Sequence, residues 1–152
     1  MATAKVSKLM VVILTISAVA VAGLTFAAIT INQNVGSSGT VTAGPNVGIF
    51  SDAACTQPVT TINWGSVEAG DTATKTIYIE DTGAAAMSPS ISVGSWSPSS
   101  ASTYMTVTWS TLPGTIQPGV SNAKAVTLTL TVSSSITGIS TFSNQITISG
   151  TG

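Results

Sequence analysis

Seven consecutive residues, Val126-Thr127-Leu128-Thr129-Leu130-Thr131-Val132, alternate aliphatic and threonine side chains without a break. Successive side chains on an extended strand point to opposite faces, so this run has one apolar face, one polar face and no helical stripe. Met105-Thr106-Val107-Thr108-Trp109 and Lys75-Thr76-Ile77-Tyr78-Ile79 repeat the pattern. So does 142–148, with Phe142, Ile146 and Ile148 on one face. Asn144 falls on that same face and needs hydrogen-bond partners if it is buried. Weaker strand patterns cover Thr40–Ala43, Val47–Phe50, Val59–Trp64 and Ser90–Val93. Between the runs lie turn sequences such as Glu68-Ala69-Gly70-Asp71, Asp81-Thr82-Gly83, Leu112-Pro113-Gly114 and Gln117-Pro118-Gly119. Gly and Pro free or fix φ where a chain reverses. Many short one-sided strands predict two packed antiparallel sheets. The expected fold is all-β: an antiparallel β-sandwich, jelly-roll or immunoglobulin-like, preceded by a hydrophobic N-terminal segment.

That segment has a definite order. Lys5 and Lys8 precede an uncharged apolar run from Leu9 to Ile31. A charged head followed by an apolar stretch is the pattern of a secretory signal. Ala20-Val21-Ala22 and Thr25-Phe26-Ala27 are candidate cleavage sites. At roughly 20 residues the run is also long enough to span a bilayer. The alternative is therefore a retained helix, as membrane anchor or pilin-like core, although no charged-Gly or charged-Ala processing site directly precedes it. The expected organisation is a signal or helix over 1–27 (boundary between 22 and 28), an N-terminal strand and linker over 28–37, and the sandwich over 38–152. The expected location is extracellular or at the cell surface.

Composition narrows the chemistry. Charged residues make up 6% of the chain, against roughly 25% in an ordinary soluble domain. The chain has no His, which removes Ser-His-Asp and Cys-His machinery and histidine metal ligands. It has no Arg, and so no guanidinium clamp for phosphate. Its four Lys cannot form a nucleic-acid footprint, and removal of a signal would leave only Lys75 and Lys124 as cations. No Gly-rich phosphate loop is present, because the 36–44 stretch lacks both the Lys and the following helix. Asn32, Asn34, Asn46, Asn63, Asn122 and Asn144 all fail the N-x-S/T pattern.

Few residues remain that could carry chemistry. Cys55 is the only cysteine and has no histidine to activate it, so it reads as a small buried or loop residue. The carboxylates are Asp52, Glu68, Asp71, Glu80 and Asp81. Glu80 and Asp81 are strand neighbours that point to opposite faces, just ahead of Thr82-Gly83, which suits a turn role. A calcium site shared with Asp52, Asp71 or another subunit is the sharper alternative. A Ser-Lys pair on Lys75 or Lys124 has only a Ser/Thr-rich background behind it. Trp64, Tyr78, Trp96, Tyr104, Trp109 and Phe142 read as packing residues, with a sugar-binding aromatic platform as the alternative. No catalytic, cofactor-binding or metal-ligating set is assigned, and no enzyme activity is expected.

Three stretches taken together resemble a known group. They are Ile49-Phe50-Ser51-Asp52-Ala53-Ala54-Cys55-Thr56 followed by Ile62-Asn63-Trp64-Gly65; Val67-Glu68-Ala69-Gly70-Asp71 leading to Lys75-Thr76-Ile77-Tyr78-Ile79-Glu80-Asp81-Thr82-Gly83; and Ser95-Trp96-Ser97-Pro98-Ser99-Ser100-Ala101 leading to Tyr104-Met105-Thr106-Val107-Thr108-Trp109. In this order, over roughly residues 45–149, the chain resembles secreted archaeal β-sandwich surface proteins. That group is similar in design to TasA-like, bundling-pilus and thread-like filament subunits. The resemblance implies a structural subunit of an extracellular filament that serves adhesion or cell-cell contact. It also implies polymerisation with copies of itself by donor-strand complementation. Strand addition of this kind draws affinity from backbone hydrogen bonds and specificity from alternate side chains, and a head-to-tail contact that does not close makes a fibre. The donor candidate is Ala28-Ile29-Thr30-Ile31-Asn32-Gln33-Asn34-Val35, with Ile29, Ile31 and Val35 on one face. Gly36-Ser37-Ser38-Gly39 is expected to be a flexible joint. Two alternatives to the filament subunit are carried forward. One is a membrane-anchored or type IV pilin-like protein that retains its helix, and the other is a carbohydrate-binding adhesion module.

Overall fold

The computed structural model describes residues 35–43 and 46–152. Eight strands form in chain order: β1 (Val35–Ala43), β2 (Val47–Phe50), β3 (Thr61–Val67), β4 (Thr72–Asp81), β5 (Ser88–Ser97), β6 (Met105–Trp109), β7 (Lys124–Val132) and β8 (Thr141–Thr151). A single helical turn, α1 (Ala101–Tyr104), joins β5 to β6, and a 3-10 turn at Val120–Asn122 precedes β7. The strands make two four-stranded sheets, ordered β3-β1-β8-β5 and β2-β4-β7-β6. The fold is an all-β sandwich.

The alternation in the sequence is the alternation of burial. On β7, Val126, Leu128, Leu130 and Val132 are buried. On β4, Ile77 and Ile79 are buried and Thr72, Thr74 and Thr76 are exposed. On β8, Phe142, Ile146 and Ile148 point into the core as expected. β7 pairs with β4 on one side and β6 on the other, so its leucines sit mid-sheet, in one buried cluster with Ile62, Trp64 and Val67 of β3. Each fully buried aliphatic side chain of this kind contributes about 1.5–3 kcal/mol relative to exposure.

Turn chemistry places the strand ends. Gly70 has φ +89°, a conformation open to glycine, in the turn between β3 and β4. The turn closes on itself: the Asp71 N–H donates to the Glu68 carbonyl at 3.1 Å, and the Glu68 N–H donates to Asp71 Oδ2 at 2.8 Å. Gly65 (φ +82°) marks the irregular register between β1 and β3, where pairing shifts between Ser37 and Ser38.

Two expectations change. The sheets are not wholly antiparallel, because β1 runs parallel to β8 from Gly36↔Thr141 to Ala43↔Ile148. Residues 36–39 are not a joint either. They lie within β1, which is longer than the expected Thr40–Ala43 strand and paired on both sides. Glycine and serine carry little strand preference of their own. Ladders from β3 and β8 on both sides supply what the side chains of this stretch do not.

Candidate strand-docking edge

The expected donor residues divide. Ile29 and Ile31 lie outside the described residues, as do the Leu9–Ile31 run and both candidate cleavage sites. Val35 begins β1, where its backbone pairs with Val67 of the same domain. The docking question therefore turns on which edges of the sandwich could accept a strand.

The described strands present four edges: β3 and β5 on one sheet, β2 and β6 on the other. Natural sheets blunt such edges with Pro, bulges and charge. β5 carries Pro89 and a register break between Gly94 and Ser97, with Ser95 at φ +51°. β3 carries the irregular pairing at Gly65. β2 is four residues long, pairs with the 78–81 end of β4, and is met by Pro58, which bridges Phe50, and by the Val59 N–H, which donates to the Ile49 carbonyl at 2.8 Å. Beyond it the rim of β4 is open but carries exposed Lys75, which lines a groove of about 230 Å³ with Ile62, Asn63 and Ile77.

β6 is short too, at five residues, but it has no Pro, bulge or charge. Met105-Thr106-Val107-Thr108-Trp109 contains no Pro, Gly or charge, and only β7 pairs with it among the described strands. Its inward residues Met105 and Val107 are buried, while Trp109 at the strand end is 36% exposed. Between this edge and β5 runs a groove of about 310 Å³ lined by Val93, Trp96, Met105, Val107 and Trp109. Trp96 packs against Phe142, with ring centroids 5.8 Å apart. The groove joins an unpaired backbone edge to a mixed lining, in which Ser102 and Thr106 stand beside the apolar side chains, and strand addition uses such an edge with side-chain pockets beside it.

The other candidate residues separate from this edge. Trp64 is 4% exposed, so it belongs to the core and offers no face to a sugar. Its Nε1–H is buried without a partner, as are both side-chain polar atoms of Asn144. The partners that Asn144 was expected to need are thus not supplied by protein groups.

Asp52 organises the loop after β2. Its carboxylate accepts the Gln57 N–H at 2.8 Å, the Thr56 N–H at 3.1 Å and the Thr56 hydroxyl at 2.9 Å. Desolvation alone would raise this carboxyl, but the hydrogen bonds from Gln57 and Thr56 together outweigh it and hold the group below its ordinary value. Cys55 sits half-buried in the same loop at φ +52°. Desolvation pushes its thiol up, and the charges of Glu80 and Asp52 and a hydrogen bond with Glu80 add to that. A thiol raised in this way is a poor nucleophile.

Glu80 and Asp81 diverge as expected, Glu80 half-buried and Asp81 buried. Asp81 Oδ1 accepts the Gly83 N–H at 2.8 Å, the turn role read from the sequence. Among the described residues no three Cys, Asp or Glu side chains gather as a metal cluster. Asp52 and Asp71 each serve their own loop instead. Sequence reasoning missed β6 as the exposed edge. The signal was present in its freedom from charge, Pro and Gly, but the position of a strand within a sheet is not written in the strand.

No family model and no curated protein matches this sequence.

Proposed function

We propose that this protein is a non-enzymatic structural subunit of an extracellular filament, and that it assembles by strand addition between copies of itself. The observation that carries the reading is the unguarded β6 edge beside the groove of Val93, Trp96, Met105, Val107 and Trp109. An uncharged, alternating, unpaired edge is an aggregation hazard unless something covers it. The sequence supplies a matching strand in 28–35, with Ile29 and Ile31 two residues apart on one face. Val35 already pairs with Val67, so the segment available to a neighbouring subunit ends just before it. In this reading Ile29 and Ile31 pack against Trp96, Val93 and Trp109 in the groove of the next subunit and the 28–34 backbone completes the ladder on β6. The contact is head-to-tail and does not close, so it propagates as a fibre. The resemblance to secreted filament subunits points the same way, as does export through the Lys5–Ile31 segment. Two lysines against five carboxylates outside that segment suit backbone pairing better than binding of phosphate or nucleic acid.

The test is electron microscopy of the secreted, purified protein beside a chain that begins at Asn34. The full mature protein is expected to form fibres and the shortened chain to remain monomeric. A peptide of residues 28–35 should bind the shortened chain, and Thr108→Lys on the exposed face of β6 should weaken that binding. Fibres that persist without residues 28–33, or a mature protein that stays monomeric under all conditions, would overturn the reading. N-terminal sequencing of the mature chain separates this proposal from the anchored alternative. A start between Gly23 and Ala28 leaves the donor free, whereas an intact Leu9–Ile31 does not.

A further inference from the structure

Asp81 is 1% exposed, and its Oδ2 is buried with no hydrogen-bond partner. A buried carboxylate oxygen left unpaired is costly, and buried charges are ordinarily paired or bound to metal. Asp81 lines a cavity of about 380 Å³ together with Asn46, Ala84, Ala85, Met87, Gly150 and Gly152. No lysine is among the lining residues, so no protein cation neutralises the carboxylate from there. Met87 adds an apolar side chain, and the other groups that line it beside Asp81 are neutral. Asn46 brings a side-chain amide, while Ala84, Ala85 and Gly150 bring only backbone polar atoms.

Three features bring Asn46 and Asp81 together. Val47 pairs with Asp81 across β2 and β4, which fixes Asn46 beside the end of β4. The Thr82 N–H donates to the Asn46 carbonyl at 2.9 Å, which ties the two turns together. Gly83 has no side chain: a Cβ there would stand 3.1 Å from Asp81 Oδ1 and 3.1 Å from Asn46 Cγ. Asp81 Oδ1 and the Asn46 side chain thus crowd the same position beside Gly83, so glycine there lets the two residues stand close together.

We propose that this cavity is a site for a hard divalent cation, Ca²⁺. Asp81 supplies the anionic ligand and the Asn46 side-chain carbonyl a neutral one. Backbone carbonyls of the 84–85 turn and water complete an all-oxygen shell. Calcium takes several oxygens, mixes carboxylate, amide and backbone carbonyl ligands, and tolerates irregular geometry. With one carboxylate the site is weak, in the ~0.1–1 mM range of extracellular calcium modules. The bound ion would pin the β1–β2 connection to the end of β4.

Thermal unfolding of the purified protein in chelator and in stepwise CaCl₂ tests this. The expected result is a midpoint that rises by several degrees and saturates near millimolar Ca²⁺. Asp81→Asn should remain folded in chelator and lose the rise. Asn46→Ala, a change at an exposed position, should shift the titration to higher Ca²⁺ by about tenfold. Calorimetric titration with CaCl₂ reads the same binding without depending on stability, which covers the case of an unstable Asp81 variant. No Ca²⁺-dependent rise and no binding heat in the parent protein would overturn the proposal. An equal response in the parent protein and both variants would also overturn it. Fibre formation plays no part in this readout, so failure here leaves the assembly reading untouched.

Discussion

Gly39 of β1 and Asn144 of β8 are direct partners across the parallel ladder, and a Cβ on Gly39 would stand 2.7 Å from Asn144 Oδ1. The same Cβ would stand 3.5 Å from Trp64 Nε1 on the strand to the other side. Three adjacent strands thus direct an indole N–H and a carboxamide at one glycine, and all of these polar atoms are buried without protein partners. The bare backbone of Gly39 makes room for both side chains, which offsets the usual weakness of a glycine in mid-sheet.

Gly39→Ala is expected to destabilise the domain by about 1–3 kcal/mol, the usual cost of overpacking a filled core. The cost should fall when Asn144 is truncated, because Asn144 Oδ1 is the nearest atom met. A double-mutant cycle with Asn144→Ala, read by urea unfolding, should show a coupling of about 0.5–3 kcal/mol. Strict additivity would mean that the two residues do not share the space.

The centre of the sandwich should respond in the ordinary way to lost volume. Leu130 is fully buried between β4 and β6, so Leu130→Ala is expected to cost about 2–5 kcal/mol. Trp109, at 36% exposure on the β6 rim, should cost clearly less stability on truncation to Ala. The same Trp109→Ala change should impair fibre formation more than Leu130→Ala does at matched folded fraction. Paired thermal melts and electron microscopy check both halves of this expectation.

Asp52 gives a pH signature. Its carboxyl lies below the ordinary value when folded, because the Gln57 and Thr56 hydrogen bonds favour the charged form. Its contribution is therefore present above the unfolded value of about 4 and is lost as pH falls through the folded value. The melting-point advantage of the parent protein over Asp52→Asn should be constant from neutral pH to about pH 4, and should disappear on further acidification. An advantage that grows at low pH would contradict this sign.

Cys55 should alkylate slowly. Desolvation and the neighbouring charges of Glu80 and Asp52 keep its thiolate scarce near neutral pH. Iodoacetamide labelling followed by mass spectrometry should run slower than for free cysteine. Glu80→Gln should speed it by removing one of the charges that hold the thiol up. Labelling as fast as free cysteine would show that the loop does not shield the sulfur.

The sequence by itself determined the position of the period-2 strands and which side of each is buried. The period-2 runs at Val126–Val132, Met105–Trp109 and Phe142–Ile148 are local statements, and a pleated backbone converts them directly into inward and outward faces. The inward position of Asn144 and the turn role of Asp81 were legible on the same grounds. Only the tertiary structure decided who pairs with whom. Nothing in Val35–Ala43 says that it lies parallel to β8 and antiparallel to β3, and its Gly-Ser stretch has too few apolar side chains to announce a strand. The convergence of Trp64 and Asn144 on Gly39, the unguarded rim of β6 and the unpaired oxygen of Asp81 share that origin. Each joins residues distant in the chain. A one-sided strand can satisfy its apolar face beside several neighbours, so the choice is made by packing the whole sandwich at once.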